Sequence, residues 1–320
     1  MRMSRVALLP PLALLLAACG VNGAADSTGR LEGPIEFVVP FAAGGGTDQT
    51  ARRLADIAEE TCQLDTVVTN QEGATGAIGF QAIANAPPTG ATVGVVTAEL
   101  AMLDHLGMTD VSPDDMTALL QYNFDPAAFT VDSDSSFESI ADVVETAESG
   151  EMVSVGTSGA GSIWEISAAG MAQKADIELT RAPFNGAAEA ITALRGGVVS
   201  ATSASGAEVR EQVKAGELRP LAVMSEERLD ILPNTPTLTE EGIDWVSGTW
   251  RGLAVPKDTP KETVDRLERC FTEAVESPEF VEFMDTAGFG REYRGAEEFA
   301  TYMDEQYRSF GQIIPQVTGE

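Results

Sequence analysis

Two glycine-rich turns hold the residue types that can do chemistry in this chain. The first is Phe41-Ala42-Ala43-Gly44-Gly45-Gly46, followed by Thr47 and Asp48. The second is Thr157-Ser158-Gly159-Ala160-Gly161-Ser162. Each follows a short apolar run and leads into a stretch with helical spacing. A chain that bends from a strand into a helix leaves the first helical amides without intrahelical partners. The helix dipole adds partial positive charge at the same end. Anions bind there without help from Lys or Arg. Gly lets a ligand approach the backbone closely, and the hydroxyls of Thr47, Thr157, Ser158 and Ser162 can add donors. Facing each other across a cleft, two such turns could grip the two ends of a small carboxylate. Taken singly, each is also an ordinary tight turn with a capped helix, and the residues alone leave both readings open.

Covalent and metal chemistry fit less well. A Ser hydrolase needs a base oriented beside its nucleophile, and the chain has one His, His105. The stretch Gly156-Thr157-Ser158-Gly159-Ala160 has Ala where a G-x-S-x-G elbow ends in Gly. No Lys follows the glycines at 44–46 as a phosphate loop requires, and no G-x-G-x-x-G begins there. One His and widely spaced Cys give no zinc pattern. The expectation is a protein with no catalytic residues, no metal and no cofactor.

The elements that must position the turns follow an alternating pattern. Strands are predicted over 36–40, 65–70 and 92–97, with one helix beginning near 47 and a second opened by the stretch 73–79 and running to about 86. Thr47 or Asp48 is placed to cap the first helix. The pattern restarts after Asp125. Strands are predicted at 128–131, 153–156, 178–182, 198–203 and 219–224. The helices between them run over 137–149, 163–174, 187–195 and 207–215. A strand at 250–255 returns the chain to its first half, and helices at 260–276, 278–287 and 295–310 finish it. Strand–helix alternation argues for parallel sheets with helices on their faces. The order predicts an α/β protein of two similar lobes. Residues 33–127 and 249–320 form the first lobe, and 128–248 form the second, inserted into it.

Charge and composition narrow the partners. Fifty Asp and Glu face 20 Lys and Arg, a net charge of −30, which excludes the basic footprint a nucleic-acid binder needs. Mean hydropathy of −0.02 rules out a polytopic membrane protein. The overall acidity does not exclude an anionic ligand, because distant surface carboxylates are screened beyond about 8 Å at physiological salt.

The N-terminus reads as an address. Arg2 and Arg5 precede an uncharged run over 6–18, too short for a bilayer span of about 20 residues. A basic start, a short apolar core and small residues make a secretory signal. Leu16-Ala17-Ala18-Cys19 has the form of a bacterial lipobox, which predicts a signal peptide over 1–18, a lipidated Cys19 and a flexible tether over 19–32. A plain signal peptide with an incidental Cys is the alternative. Loss of the two arginines takes the charge from −30 to −32. The protein is then extracytoplasmic, where disulfides persist. With Cys19 acylated, Cys62 and Cys270 remain, and elimination pairs them; two buried free thiols are the other possibility.

Further stretches resemble a known family. They are Val39-Pro40-Phe41-Ala42-Ala43-Gly44-Gly45-Gly46-Thr47-Asp48, Asn70-Gln71-Glu72-Gly73-Ala74, Gly156 to Ser162, Ala182-Pro183-Phe184-Asn185-Gly186, Leu194-Arg195-Gly196-Gly197 and Trp250-Arg251-Gly252-Leu253. In this order they resemble the solute receptors of tripartite tricarboxylate transporters, also called Bug receptors. The resemblance implies a two-lobed periplasmic-binding-protein-like fold, each lobe a mainly parallel sheet flanked by helices. It implies capture of a small organic carboxylate and delivery to a permease with one large and one small membrane subunit. It also implies a receptor that acts as a monomer. The ligand residues it implies are Phe41, Ala42, Ala43, Gly44, Gly45, Thr157, Ser158, Gly161 and Ser162, to which the turn argument adds Thr47 and the adjoining motif Phe184. This chain departs from the family pattern at Gly46, Trp164 and Phe184-Asn185, which leaves the particular acid open. Two other readings stand beside this one: a ligand-presenting partner of a two-component signalling kinase, and a Ser-dependent hydrolase using Ser158 or Ser162.

Overall fold

The run Ile35–Val39 (β1) has no polar alternation, and all but one of its residues are buried, as suits an interior strand of a parallel sheet. A computed structural model describes residues 33–318. The signal segment 1–18, Cys19 and the tether 19–32 lie outside the described residues.

Strand β1 pairs in parallel with β2 (Thr66–Asn70) and β3 (Thr92–Thr97). Antiparallel to β3 runs β9 (Gly248–Pro256), which in turn pairs antiparallel with β4 (Met116–Asp132). The strand β10 (Arg291–Gly295) adds to β4. Helices α1 (Gly46–Cys62), α7 (Lys261–Val275) and α8 (Pro278–Ala287) cover one face of this sheet around Phe37, Leu54, Leu253, Phe271 and Phe280. Cys62 at the end of α1 and Cys270 in α7 are joined as a disulfide, with Cα atoms 5.7 Å apart.

The second sheet has the order β8 (Leu218–Val223), β4, β7 (Ala201–Ser205), β5 (Ser154–Thr157), β6 (Thr180–Pro183). Helices α5 (Ala187–Arg195) and α6 (Gly206–Lys214) cover one face. On the other face lie α3 (Ile140–Glu148) and α4 (Ile163–Lys174). That face shares a core with α2 (Ala77–Ala84) and α9 (Ala296–Thr318) of the first lobe. Phe80, Trp250 and Phe299 join Phe129, Val155 and Ile166 in it.

The two sheets repeat one topology. In each, three parallel strands alternate with helices, and an antiparallel strand is inserted between the third and fourth: β9 between β3 and β4, then β4 between β7 and β8. The inserted strands are the ones that cross between lobes. Strand β4 pairs with β9 up to Pro126 and with β7 and β8 from Ala127 or Ala128 onward. The turns after β1 and β5 therefore occupy equivalent places, at the carboxyl ends of strands where α/β proteins bind ligands.

Two strands differ from the sequence expectation. The sequence predicts a strand only at 128–131, but β4 begins at Met116, and β10 was not foreseen. Gln121, Asn123, Asp125 and Pro126 give 116–127 a loop-like composition. The polar side chains are tolerated inside the sheet because Arg294 and Arg251, distant in sequence, bond to them.

Candidate ligand-binding cleft

The turn after β1 is shaped by one carboxylate. Asp48, in the first turn of α1, accepts from the Gly44 amide (2.8 Å) and from Asn70 Nδ2 (2.8 Å), and pairs with Arg52. Asn70 also donates to the Phe41 carbonyl. Burial pushes the Asp48 carboxyl up, but Arg52, the Gly44 amide and Asn70 outweigh it, so its pKa lies below the ordinary value. The N-cap is Gly45, with no side chain capping the helix, rather than Thr47 or Asp48. Ala42, Ala43, Gly44 and Gly45 are exposed. The amides of Ala42, Ala43 and Gly45 have no acceptor among the described residues. Nothing lies within 4 Å of where a Gly44 side chain would begin.

The turn after β5 reuses the device. The Gly161 amide donates to Glu165 Oε2 (2.7 Å), four residues on, as Gly44 does to Asp48. Here, however, the helix is capped: Ser162 Oγ accepts from the Glu165 amide. Gly161 and Ser162 are buried. Thr157 Oγ1 is fully buried and has no hydrogen-bond partner among the described residues. Phe184 is half-buried beside the turn, its amide donating to the Thr157 carbonyl (2.9 Å).

The first lobe reaches across to this second turn at three points. Thr75 Oγ1 donates to the Ala160 carbonyl (3.0 Å). Leu106 and Met108 pack against Gly161. Glu99, which follows β3, accepts from the Ile163 amide (3.3 Å) with one oxygen and from Thr97 Oγ1 (2.5 Å) with the other. Glu99 is only 5% exposed. Burial raises its pKa, against the opposing pull of Thr97, the amides and Arg251. Thr75 and its neighbour Ala74 have left-handed backbones, with φ of 55° and 48°. Such strain in non-glycine residues concentrates at functional contacts.

Behind the first turn lies a buried cation. Arg251 on β9 donates through Nε to Thr47 Oγ1 (3.0 Å) and through Nη1 to Asn123 and Asp125 on β4. Asp125 also accepts from the Gly290 amide (2.8 Å). Arg251 is 4% exposed. Its charge sits against the amide end of α1, where it adds to the positive potential that the exposed amides present.

Of the residues singled out from sequence, the fold places Phe41, Ala42, Ala43, Gly44, Gly45 and Thr47 on one turn and Thr157, Ser158, Gly161, Ser162 and Phe184 on or beside its counterpart. Five of these are committed internally: the amides of Gly44, Gly161 and Phe184, the Thr47 hydroxyl, which accepts from Arg251, and the Ser162 hydroxyl, which caps α4. Sequence reasoning missed Glu99, Arg251, Asp125 and Thr75. The acid four residues after a turn glycine, at Asp48 and Glu165, was a readable signal; the cross-lobe partners had none. Among the described residues no group of three or more His, Cys, Asp or Glu is placed to hold a metal ion. None of the described helices is long and apolar enough to cross a membrane.

Two α/β lobes joined by crossing strands, with turns at equivalent strand ends, define the class of a periplasmic-type solute-binding receptor. The chain belongs to the tripartite tricarboxylate transporter receptor family, TctC, which it matches over residues 50–318. It is 30% identical over 267 residues to the UPF0065 protein of the tcbD-tcbE intergenic region of Pseudomonas sp. (strain P51). That match covers 80% of this chain and 77% of that protein. A TctC solute-binding protein from Polaromonas, solved without ligand, is 35% identical. It superposes with a TM-score of 0.74 over 88% of this chain and 98% of its own. The R. palustris protein Rpa4515, solved with adipate, shares the fold at 24% identity and a TM-score of 0.82. It covers 89% of this chain and 97% of its own. The family and fold are those of receptors rather than enzymes.

Proposed function

We propose that this receptor captures a small organic carboxylate between its lobes and delivers it to a tripartite permease with one large and one small membrane subunit. The observation that carries the reading is the first-lobe turn. Three exposed amides, of Ala42, Ala43 and Gly45, lack acceptors at the amide end of α1, with the Arg251 cation behind them. The unpartnered Thr157 hydroxyl and Ser158 are the second-lobe donors, and Phe41 and Phe184 flank the ligand. The adipate held by the similarly folded Rpa4515 supports the ligand class. The lobes divide at 127/128 and 248/249, a division supported by the change of β4 partners after Pro126. The receptor works as a monomer outside the cytoplasm, tethered by residues 19–32 from a lipidated Cys19. An oxidising compartment suits its disulfide.

Thermal-shift screening of the purified receptor against mono-, di-, tri- and aromatic carboxylates tests this. A true ligand at a hundredfold excess over its Kd raises the melting temperature by about 5 °C or more. A panel in which no carboxylate raises it overturns the reading.

A further inference from the structure

The two lobes present equivalent helix ends, yet only one is met by a carboxyl from the opposite lobe. At the end of α4 three amides that could meet an anion already meet the protein's own acceptors, while the Thr157 hydroxyl beside them has none among the described residues. Gly161 donates to Glu165, Ile163 donates to Glu99, and the Glu165 amide donates to Ser162. Glu99 is the telling member, because it comes from the other lobe. It leaves the carboxyl end of β3 in the first sheet and docks on the first residue of α4 in the second. Thr97 holds its second oxygen in place, and Thr75, Leu106 and Met108 close the same junction around it. A carboxylate from the first lobe thus makes the contact that the far end of a diacid ligand would make.

We propose that Glu99 is an internal substitute for a ligand's second acidic group, and that it restricts this cleft to ligands received by one carboxylate at the turn 41–45. The inference rests on the carboxylate-receptor reading and narrows it to a class. A diacid long enough to reach α4 meets two resident carboxylates, Glu99 and Glu165, which already hold the amides of Ile163 and Gly161. Like charges brought together in a dry cleft oppose each other strongly. A monoacid with a neutral tail meets neither penalty. The helix end is already neutralised, so lobe closure does not depend on the ligand to bring the second charge.

Calorimetry on the wild-type receptor, E99A and E99Q tests this with matched pairs of probes, butyrate against succinate and hexanoate against adipate. Wild type favours the monoacid of a pair. E99A shifts the diacid-to-monoacid affinity ratio toward the diacid by about tenfold or more, the fold-change of one charge-assisted hydrogen bond gained. E99Q keeps an oxygen for the Ile163 amide but removes the charge, and shifts the ratio in the same direction by less. E99Q, of nearly the same shape, decides the matter if E99A folds poorly. A ratio unchanged in both variants, or moved toward the monoacid, overturns the proposal while leaving the receptor reading intact. Failure of every acid to bind all three proteins overturns the receptor reading, and this proposal with it.

Discussion

The amino ends of α1 and α4 stand at equivalent points of a repeated topology, and they meet their electrostatic need in opposite ways. Both follow a strand, both bend through glycine, and both tie a turn amide to an acid four residues on. From there they diverge. The α1 end has no side-chain cap, is exposed, and has a guanidinium behind it. The α4 end is capped by Ser162, buried, and faced by a carboxyl from the opposite lobe. Negative charge is stabilising at either helix start. Each end has its own acid, Asp48 at α1 and Glu165 at α4, and only α4 receives a second one, Glu99 from the opposite lobe. Pseudo-symmetry of the backbone therefore does not carry over to the binding surface. Two matched turns do not make a two-ended clamp when one is filled from within.

The strongest way to test that contrast is to remove the cation behind α1. R251M leaves Asp125 buried without its partner, and such a loss costs about 3–5 kcal/mol of stability. Urea unfolding should show it as a large fall in midpoint. Carboxylate affinity should fall as well, since the first turn loses its positive backing. The double variant R251M/D125L separates the two effects. Replacing both charges with apolar groups returns most of the stability but not the affinity. Recovery of both would mean that Arg251 only fills space, and that the open end of α1 owes nothing to it.

How much of this was legible in the sequence depends on the range of the forces involved. The strand before each turn, the glycines and the helix after it are local, and residues such as Gly44 and Ser162 announce them. Helices at 163–174 and 187–195 coincide with α4 and α5 because their patterning is unbroken. The long strand β4 was mostly hidden. Its Gln121, Asn123 and Asp125 read as loop residues until Arg294 and Arg251, over a hundred positions away, are seen to satisfy them. Glu99 was hidden for the same reason. Within Thr97-Ala98-Glu99-Leu100 it is an isolated acid among apolar residues. Thr97 is its local partner, and only the approach of Ile163, 64 positions along, gives it one from the other lobe. Turn chemistry is local and visible, whereas the occupancy of a turn is a tertiary fact.

The two helix ends should also titrate in opposite directions. Asp48 has a lowered pKa, so its stabilisation is present above the ordinary Asp value of 3.8 and is lost as pH falls through its lower folded value. Glu99 has a raised pKa, so its stabilisation is complete below the ordinary Glu value of 4.5 and is lost as pH rises through its higher folded value. D48N should lose about 2 kcal/mol near neutrality, the scale of a hydrogen bond to a charged group, and its deficit should shrink toward acid. E99Q should instead improve relative to wild type as pH rises. Melting curves between about pH 3 and 8 check both signs. Slopes of the same sign would remove the electrostatic distinction between the two ends.

The smallest effect isolates the lobe contact itself. Gly44 and Gly161 both have left-handed backbones, with φ of 84° and 72°. G44A and G161A therefore share a conformational cost of about 1 kcal/mol. They differ in what the new methyl meets. At Gly44 nothing lies within 4 Å. At Gly161 the methyl would stand 2.9 Å from Met108 Sδ and 3.0 Å from Leu106 Cδ1, both contributed by the other lobe. Those flexible side chains can give way, so the added cost is only about 0.5–1 kcal/mol, and it applies only when the lobes are together. G161A should then melt slightly below G44A and show a more open particle by small-angle scattering, while G44A keeps the wild-type profile. Equal melting and equal scattering would mean that the seal over α4 contributes nothing to closure, and the two turns would differ in charge alone.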